Sequence, residues 1–143
     1  MRSILAFLTL LVPLLIIGCE KPRLGSDTSF ARSTFVSLAK GDTAVQSKID
    51  WETLTALGEN VGVKYNLIPT ETEKQQFRLG FITEFASSFR QSGGSVDNFT
   101  NWKVTFRDST RTEVTADSPN GLLTLTVSER DSVERISSIG MIK

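Results

Sequence analysis

Phenylalanine recurs at every fourth position over one stretch of the chain, as Phe77, Phe81, Phe85 and Phe89. At about 3.6 residues per turn, that spacing drifts about 40° per step, so the four rings form a slanted ridge along one helix. Ile82 and Ala86 widen the ridge. The helix starts at a capping box, Thr70-Glu71-Thr72-Glu73, in which the Thr70 hydroxyl accepts from the Glu73 backbone N–H and the Glu73 carboxylate reaches back. It runs to about residue 91, where Ser92-Gly93-Gly94-Ser95 stops it. The ridge reads first as the middle of a core. The alternative is an aromatic wall for an apolar ligand.

From Asn101 onward the period changes to two. Trp102, Val104 and Phe106 face one way, with Lys103, Thr105 and Arg107 opposite; Thr112, Val114 and Ala116 repeat the pattern, then Leu123, Leu125 and Val127. Matching the apolar faces sets the register, since a one-residue slip would turn them outward. Val104 falls opposite Val114 across a loop centred on Ser109, and Val114 opposite Leu125 across Ser118-Pro119-Asn120-Gly121. The last strand, residues 133–142, has Ile136 and Ile139 on opposite parities, which predicts a bulge at Ser137 or Ser138. The result is an antiparallel meander with one apolar face, on which the phenylalanine helix lies.

Ahead of these elements, a first helix is expected over residues 28–40, capped by Ser26 or Asp27, with Phe30, Ala31, Phe35, Leu38 and Ala39 on one face and Gly41 at its end. Asp42 caps a second helical segment carrying Val45 and Ile49. Asp50 starts a further turn with Trp51, Leu54 and Leu57, up to Gly58. Val61, Val63, Tyr65 and Leu67 alternate with Gly62, Lys64 and Asn66 and read as a short strand closed by Pro69.

The N-terminus has a different character. Residues 4–17 are apolar apart from Thr9, follow Arg2, and end at Gly18-Cys19, the only cysteine. A helix of that length spans about 21 Å, short of a bilayer core of roughly 30 Å, and suits a signal-peptide apolar region behind a basic start. Leu15-Ile16-Ile17-Gly18-Cys19 resembles the lipobox of bacterial lipoproteins. That resemblance implies removal of residues 1–18 by cleavage between Gly18 and Cys19, with Cys19 acylated and bound to membrane lipid. Residues 19–27 would be the lipidated cysteine and a polar tether, and residues 28–143 a single domain. Several acyl chains would hold the protein on a bilayer essentially permanently. Glu20 is not the aspartate that favours inner-membrane retention in proteobacterial lipoproteins. The resemblance therefore points to the outer membrane, facing the periplasm, if the source has two membranes.

Composition narrows the chemistry. Lys+Arg and Asp+Glu are balanced at 16 each, so no charge excess draws the chain to nucleic acid. With one cysteine no internal disulfide can form, and the core must hold the fold alone. Histidine is absent, which removes the commonest general base and transition-metal ligand. No cofactor or metal is expected. Gly93-Gly94 lacks the strand before it and the helix after it that a phosphate loop needs. For an acid–base enzyme the residues worth naming are Tyr65, Asp97, Asp108 and Glu113. Asp97 and Asp108 read as turn residues, and Glu113, beside Arg111 and facing Thr105, as a solvated cross-strand residue. Lys103, Arg107, Arg111, Arg130 and Arg135 read as a solvated sheet face rather than a lipid-headgroup site.

Helices first, Phe35-Val36-Ser37-Leu38-Ala39-Lys40-Gly41-Asp42 at the first break, a longer amphipathic helix, then strands ending Arg-Ile-Ser-Ser-Ile-Gly-Met-Ile: this order resembles the cystatin-like, or nuclear-transport-factor-two-like, cone fold. More narrowly it resembles small lipoproteins of unknown function carrying such a domain. The resemblance implies an α+β fold, N-terminal helices packed on a curved antiparallel sheet, with a cone between them that is filled or holds a ligand. The expected pocket or core residues are Phe77, Phe81, Phe85, Phe89, Trp51, Tyr65 and Trp102. The expected role is a monomeric, non-enzymatic binding or scaffold module of the cell envelope, with membrane lipid and envelope proteins as its partners. A carrier of an apolar ligand, or a small enzyme using a carboxylate in the cone, is the alternative.

Overall fold

The computed structural model describes residues 26–143, with side chains from residue 28. The expected signal peptide, with Gly18 and Cys19, and the expected tether up to residue 25 lie outside the described residues. The domain is α+β, with helices packed against a curved open sheet.

Helix α1 spans Ser26–Lys40, starting two residues earlier than expected. It ends in a Schellman arrangement: Gly41, at φ 75°, donates to the Leu38 carbonyl, and Asp42 donates to that of Ser37. Asp42 then caps the next segment by accepting from the Ala44 N–H, and Thr43–Lys48 form a 3₁₀ turn with Val45 buried.

Residues 50–60 depart from the expected helical turn. Thr55–Ala56 (β1) and Glu59–Asn60 (β2) form a small hairpin, with Leu57 at φ 50° and Gly58 at φ 87° in its bend. Two consecutive positive φ values match the hairpin twist. The expected strand at 61–67 is instead a helix, α2, Val61–Asn66, capped by the Asn60 side chain on the Val63 N–H. The alternation misled because Val61 and Tyr65, four apart, are buried while Val63 and Leu67, also four apart, are exposed. Two helical faces that are both apolar imitate a period of two. Gly62 is required here: a Cβ would stand 2.4 Å from the Glu52 carbonyl oxygen.

Helix α3, Glu71–Gln91, matches its expected span. Thr70 accepts from the Glu73 N–H at 3.2 Å and donates its hydroxyl to the Glu73 carboxylate at 2.7 Å. The helix closes on a second Schellman pair, Gly93 to the Arg90 carbonyl and Gly94 to that of Phe89.

The meander follows as β3 Thr100–Arg107, β4 Arg111–Ser118, β5 Gly121–Arg130 and β6 Val133–Ile142. Val104 pairs with Val114 and Val114 with Leu125, as the apolar pattern requires. The β5–β6 register shifts so that Ser138 faces Thr126 and Ile136 faces Val127, leaving Ser137 as the extra residue of the expected bulge. Two features amend the expectation. The sheet is mixed, in the order β2-β1-β6-β5-β4-β3, because β1 runs parallel to β6. In addition, β3 shifts register against β4 twice, between Thr100 and Lys103 and again at Thr105, so that Phe106, not Thr105, pairs with Glu113, and Arg107 with Thr112. Phe106 therefore leaves the face of Trp102 and Val104 and lies on the outer face under the Arg111 guanidinium, 5.1 Å from its ring centroid.

The core lies between the helices and the inner sheet face. Ile82 of α3 and Phe35 and Leu38 of α1 join Val114, Leu123, Leu125, Val127, Ile136 and Ile139 there in one buried cluster, and Ala86 of α3 is buried as well.

At the β3–β4 bend, Asp108 Oδ1 accepts from the backbone N–H groups of Thr110 and Arg111 at 2.8 and 2.9 Å. These bonds, the Thr110 one foremost, hold the Asp108 carboxyl below the ordinary aspartate range. A lowered folded-state pKa means that the stabilisation is complete above the unfolded-chain value of about 3.9 and disappears as pH falls through the folded value. We expect Asp108 to titrate below the ordinary aspartate range by carboxyl-carbon NMR. Asp108→Ala should remove that part of the acid dependence of urea unfolding.

Candidate functional site

Nine rings form one chain of contacts across the helical side of the domain. At one end Phe77 packs on Tyr65 (5.9 Å between centroids), Tyr65 on Trp51 (6.1 Å) and Trp51 edge-on to Phe81 (5.5 Å). Phe81 leads to Phe85 (6.2 Å) and Phe85 to Phe35 (6.5 Å), around which Phe89, Phe99 and Trp102 gather. Edge-to-face geometry dominates around Phe35, as the ring quadrupole favours.

The seven expected aromatic residues thus divide into three groups. Trp51 and Tyr65 are buried, with the indole N–H donating to the Gln46 carbonyl at 2.8 Å. Phe89 and Trp102 belong to the cluster around Phe35. Phe77, Phe81 and Phe85 are only half-buried and line a groove of about 540 Å³ between α3 and the β1–β2 hairpin with α2. Its opposite wall is Ala56, Leu57 and Val61, and Leu57 is 60% exposed. The fully buried positions of α3 are Ile82 and Ala86, so the phenylalanine ridge flanks the core rather than forming its middle. The rim is polar. Glu59 and Lys64 pair at 2.7 Å, and this bond holds the Glu59 carboxyl below its ordinary pKa; Glu84 lines the helix side.

Two residues of this region carry roles that periodicity did not expose. Arg78, with its side chain only 14% exposed, donates to the Tyr65 hydroxyl (2.7 Å), to Gln46 Oε1 (3.2 Å) and to the Glu71 carboxylate (2.7 Å), and also to Gln75. The Glu71 bond, supported by Tyr65, raises its pKa against the opposing effect of burial. Arg78 therefore ties α3 to the 3₁₀ turn and to α2. The only sequence signal for it was its place one residue beside the ridge.

Gly80 sits in the interior of α3 and lines the groove, and a Cβ there would meet nothing within 4 Å. A mid-helix glycine is unfavourable relative to alanine, and no packing requirement explains it. Its position inside an otherwise regular helical pattern was the available signal.

The candidate acid–base residues do not converge. Tyr65 is committed to Arg78, Asp97 is exposed in the short turn Val96–Asn98, Asp108 holds the β3–β4 bend, and Glu113 lies on the outer sheet face beside Phe106. Among the described residues no group of three or more His, Cys, Asp or Glu is placed to hold a metal ion, and no helix is long and apolar enough to cross a membrane. Of the expected basic face, Arg111 lies 3.6 Å from Asp108, and Arg130 bridges Asp50 and Glu52 at 3.1 and 3.0 Å.

No protein-family model, curated protein or solved structure matches this chain. The residues themselves carry the functional argument.

Gly80→Ala should stabilise the domain by about 0.5–1 kcal/mol, read as a higher urea midpoint at unchanged slope. A destabilisation would mean that the helix needs glycine for its own packing.

Proposed function

We propose that this chain is a lipid-anchored cell-envelope protein whose domain binds an apolar or amphipathic ligand in the groove along α3 and performs no catalysis. The observation that carries the binding reading is the set of partly buried Phe77, Phe81 and Phe85 rings facing Ala56, Leu57 and Val61 across a concave surface with a polar rim. Ligand sites combine apolar linings with a few polar groups in this way. The core fills the space between the helices and the sheet, so this flanking groove is the apolar concavity open to a ligand. The carrier reading therefore gains over a scaffold with no ligand of its own.

The anchoring reading rests on Arg2, the apolar run that follows and Gly18-Cys19. Acylated Cys19 would place the domain beside a membrane, where apolar and amphipathic molecules are concentrated. The balanced charge supports no nucleic-acid partner, and the domain acts as a monomer.

Trp51 stacks edge-on against Phe81, one ring behind the groove surface, so its emission reports on occupancy. In a Trp102→Phe background, titration with dodecanoate should shift Trp51 emission saturably. Leu57→Asp should weaken binding about tenfold or more, the worth of one apolar side chain removed from water. An unmoved spectrum, with no extra mass in native mass spectrometry of the protein from its host membranes, would count against a ligand groove.

The anchor has its own test. Expressed in a bacterial host, the chain should enter the membrane fraction carrying a diacylglyceryl mass. Cys19→Ser should lose both the mass and the membrane association.

A further inference from the structure

The outer sheet face carries a second depression, of about 650 Å³, which shares no lining residue with the apolar groove. It lies over the β4, β5 and β6 strands beside β1, and every residue lining it is Ser, Thr, Asp, Glu or Arg. Its floor is a plane of short hydroxyl side chains. Consecutive strand residues normally point to opposite faces. The bulge in β6 overrides this and turns Ser137 and Ser138 to the same side. There the Ser137 and Ser128 hydroxyls bond each other at 2.6 Å, and the Thr55 hydroxyl bonds that of Ser138 at 2.9 Å.

Two guanidinium groups stand at the edge of this floor, each held in place. Arg130 is fixed by Asp50, which is only 7% exposed, and by Glu52. Arg111 rests over the Phe106 ring near Asp108. A guanidinium has five N–H donors in a rigid fork, so a pair of contacts leaves further donors to present.

The lining selects a ligand by exclusion. Asp50, Glu113 and Glu129 stand against Arg111 and Arg130, which is too even a balance to draw an anion or a cation by net charge. An apolar ligand would strip water from these hydroxyls and charges and return no hydrogen bonds, at a cost. What fits is an uncharged molecule dense in donors and acceptors spaced as adjacent hydroxyls, which carboxylate and guanidinium groups engage two at a time.

We propose that this depression binds a neutral carbohydrate chain. Arg130 and Arg111 bracket its hydroxyls, and the serine and threonine hydroxyls of the floor meet its oxygens. The site is independent of the apolar groove. In an anchored protein it would let one domain hold a polysaccharide near the membrane surface.

The test is an amide-shift map by NMR on the full chain in a zwitterionic, sugar-free detergent, titrated separately with cellohexaose, maltohexaose and chitohexaose at millimolar concentration. At least one hexasaccharide should move the amides of residues 126–130 and 135–138 while leaving those of residues 77–85 in place. Thr126→Tyr, which puts bulk on the floor, should abolish the shifts. Arg130→Lys, which keeps the charge opposite Asp50 but loses the fork, should weaken binding about tenfold. Leu57→Asp should leave it unchanged. The proposal is overturned if none of the three sugars moves those amides, if inorganic phosphate alone moves them equally, or if the shifts map to the apolar groove.

Discussion

Strand β6 has two edges, and the rest of the fold depends on what takes the second one. On one side it pairs with β5 over its whole length. On the other, residues 49–57 cover it: Ile49 bridges Ile136, the Asp50 N–H donates to the Ile136 carbonyl, β1 runs parallel alongside, and the Leu57 N–H donates to the Ile139 carbonyl. An uncovered edge would leave a row of unpaired backbone groups and invite association. Covering it with this segment also buries Leu54 and Ala56 and sets Leu57 opposite the phenylalanine edges of α3. The groove wall is thus a by-product of satisfying the backbone of β6.

The same segment serves both faces of the sheet. Thr55 and Ala56 are neighbours on one short strand, and the pleat sends them in opposite directions. Ala56 joins the apolar groove and Thr55 joins the hydroxyl floor. Gly62, pressed against the Glu52 carbonyl, and the Asn66 amide donating to that carbonyl at 3.0 Å hold α2 against this segment. The piece of chain that shapes the two surfaces is therefore fixed at both ends.

Much of the fold was legible in the sequence, for reasons that differ by element. The β4–β5 register and the Val104–Val114 pairing followed from apolar parity, the Ser137 bulge from Ile136 and Ile139 being three apart, and the α3 start from Thr70 and Glu73. The region 50–67 was not legible. Leu57 is a costly residue for a left-handed turn position, and Val61, Val63, Tyr65 and Leu67 look alike on a helix or a strand. The Thr105 bulge escaped because no apolar residue changes parity across it; Phe106 simply ends on the other face. At the site, the phenylalanine ridge could be read but its lining members could not. Which rings stay half-open depends on a wall built from residues about twenty positions earlier, in the region misread. Nothing in the pattern singled out Arg78.

Thr55 and Ser138 touch across 83 residues of chain. Closing a loop of that length carries about 4 kcal/mol of length-dependent entropy, and pairings so distant in sequence are slow to form. Both β5 and β1 wait for β6 to pair with them. No sheet-supported groove exists until residues 133–142 have emerged, so the rest of this domain assembles only once β6 is available. Before that, α1 and α3 must keep their apolar faces out of trouble without it.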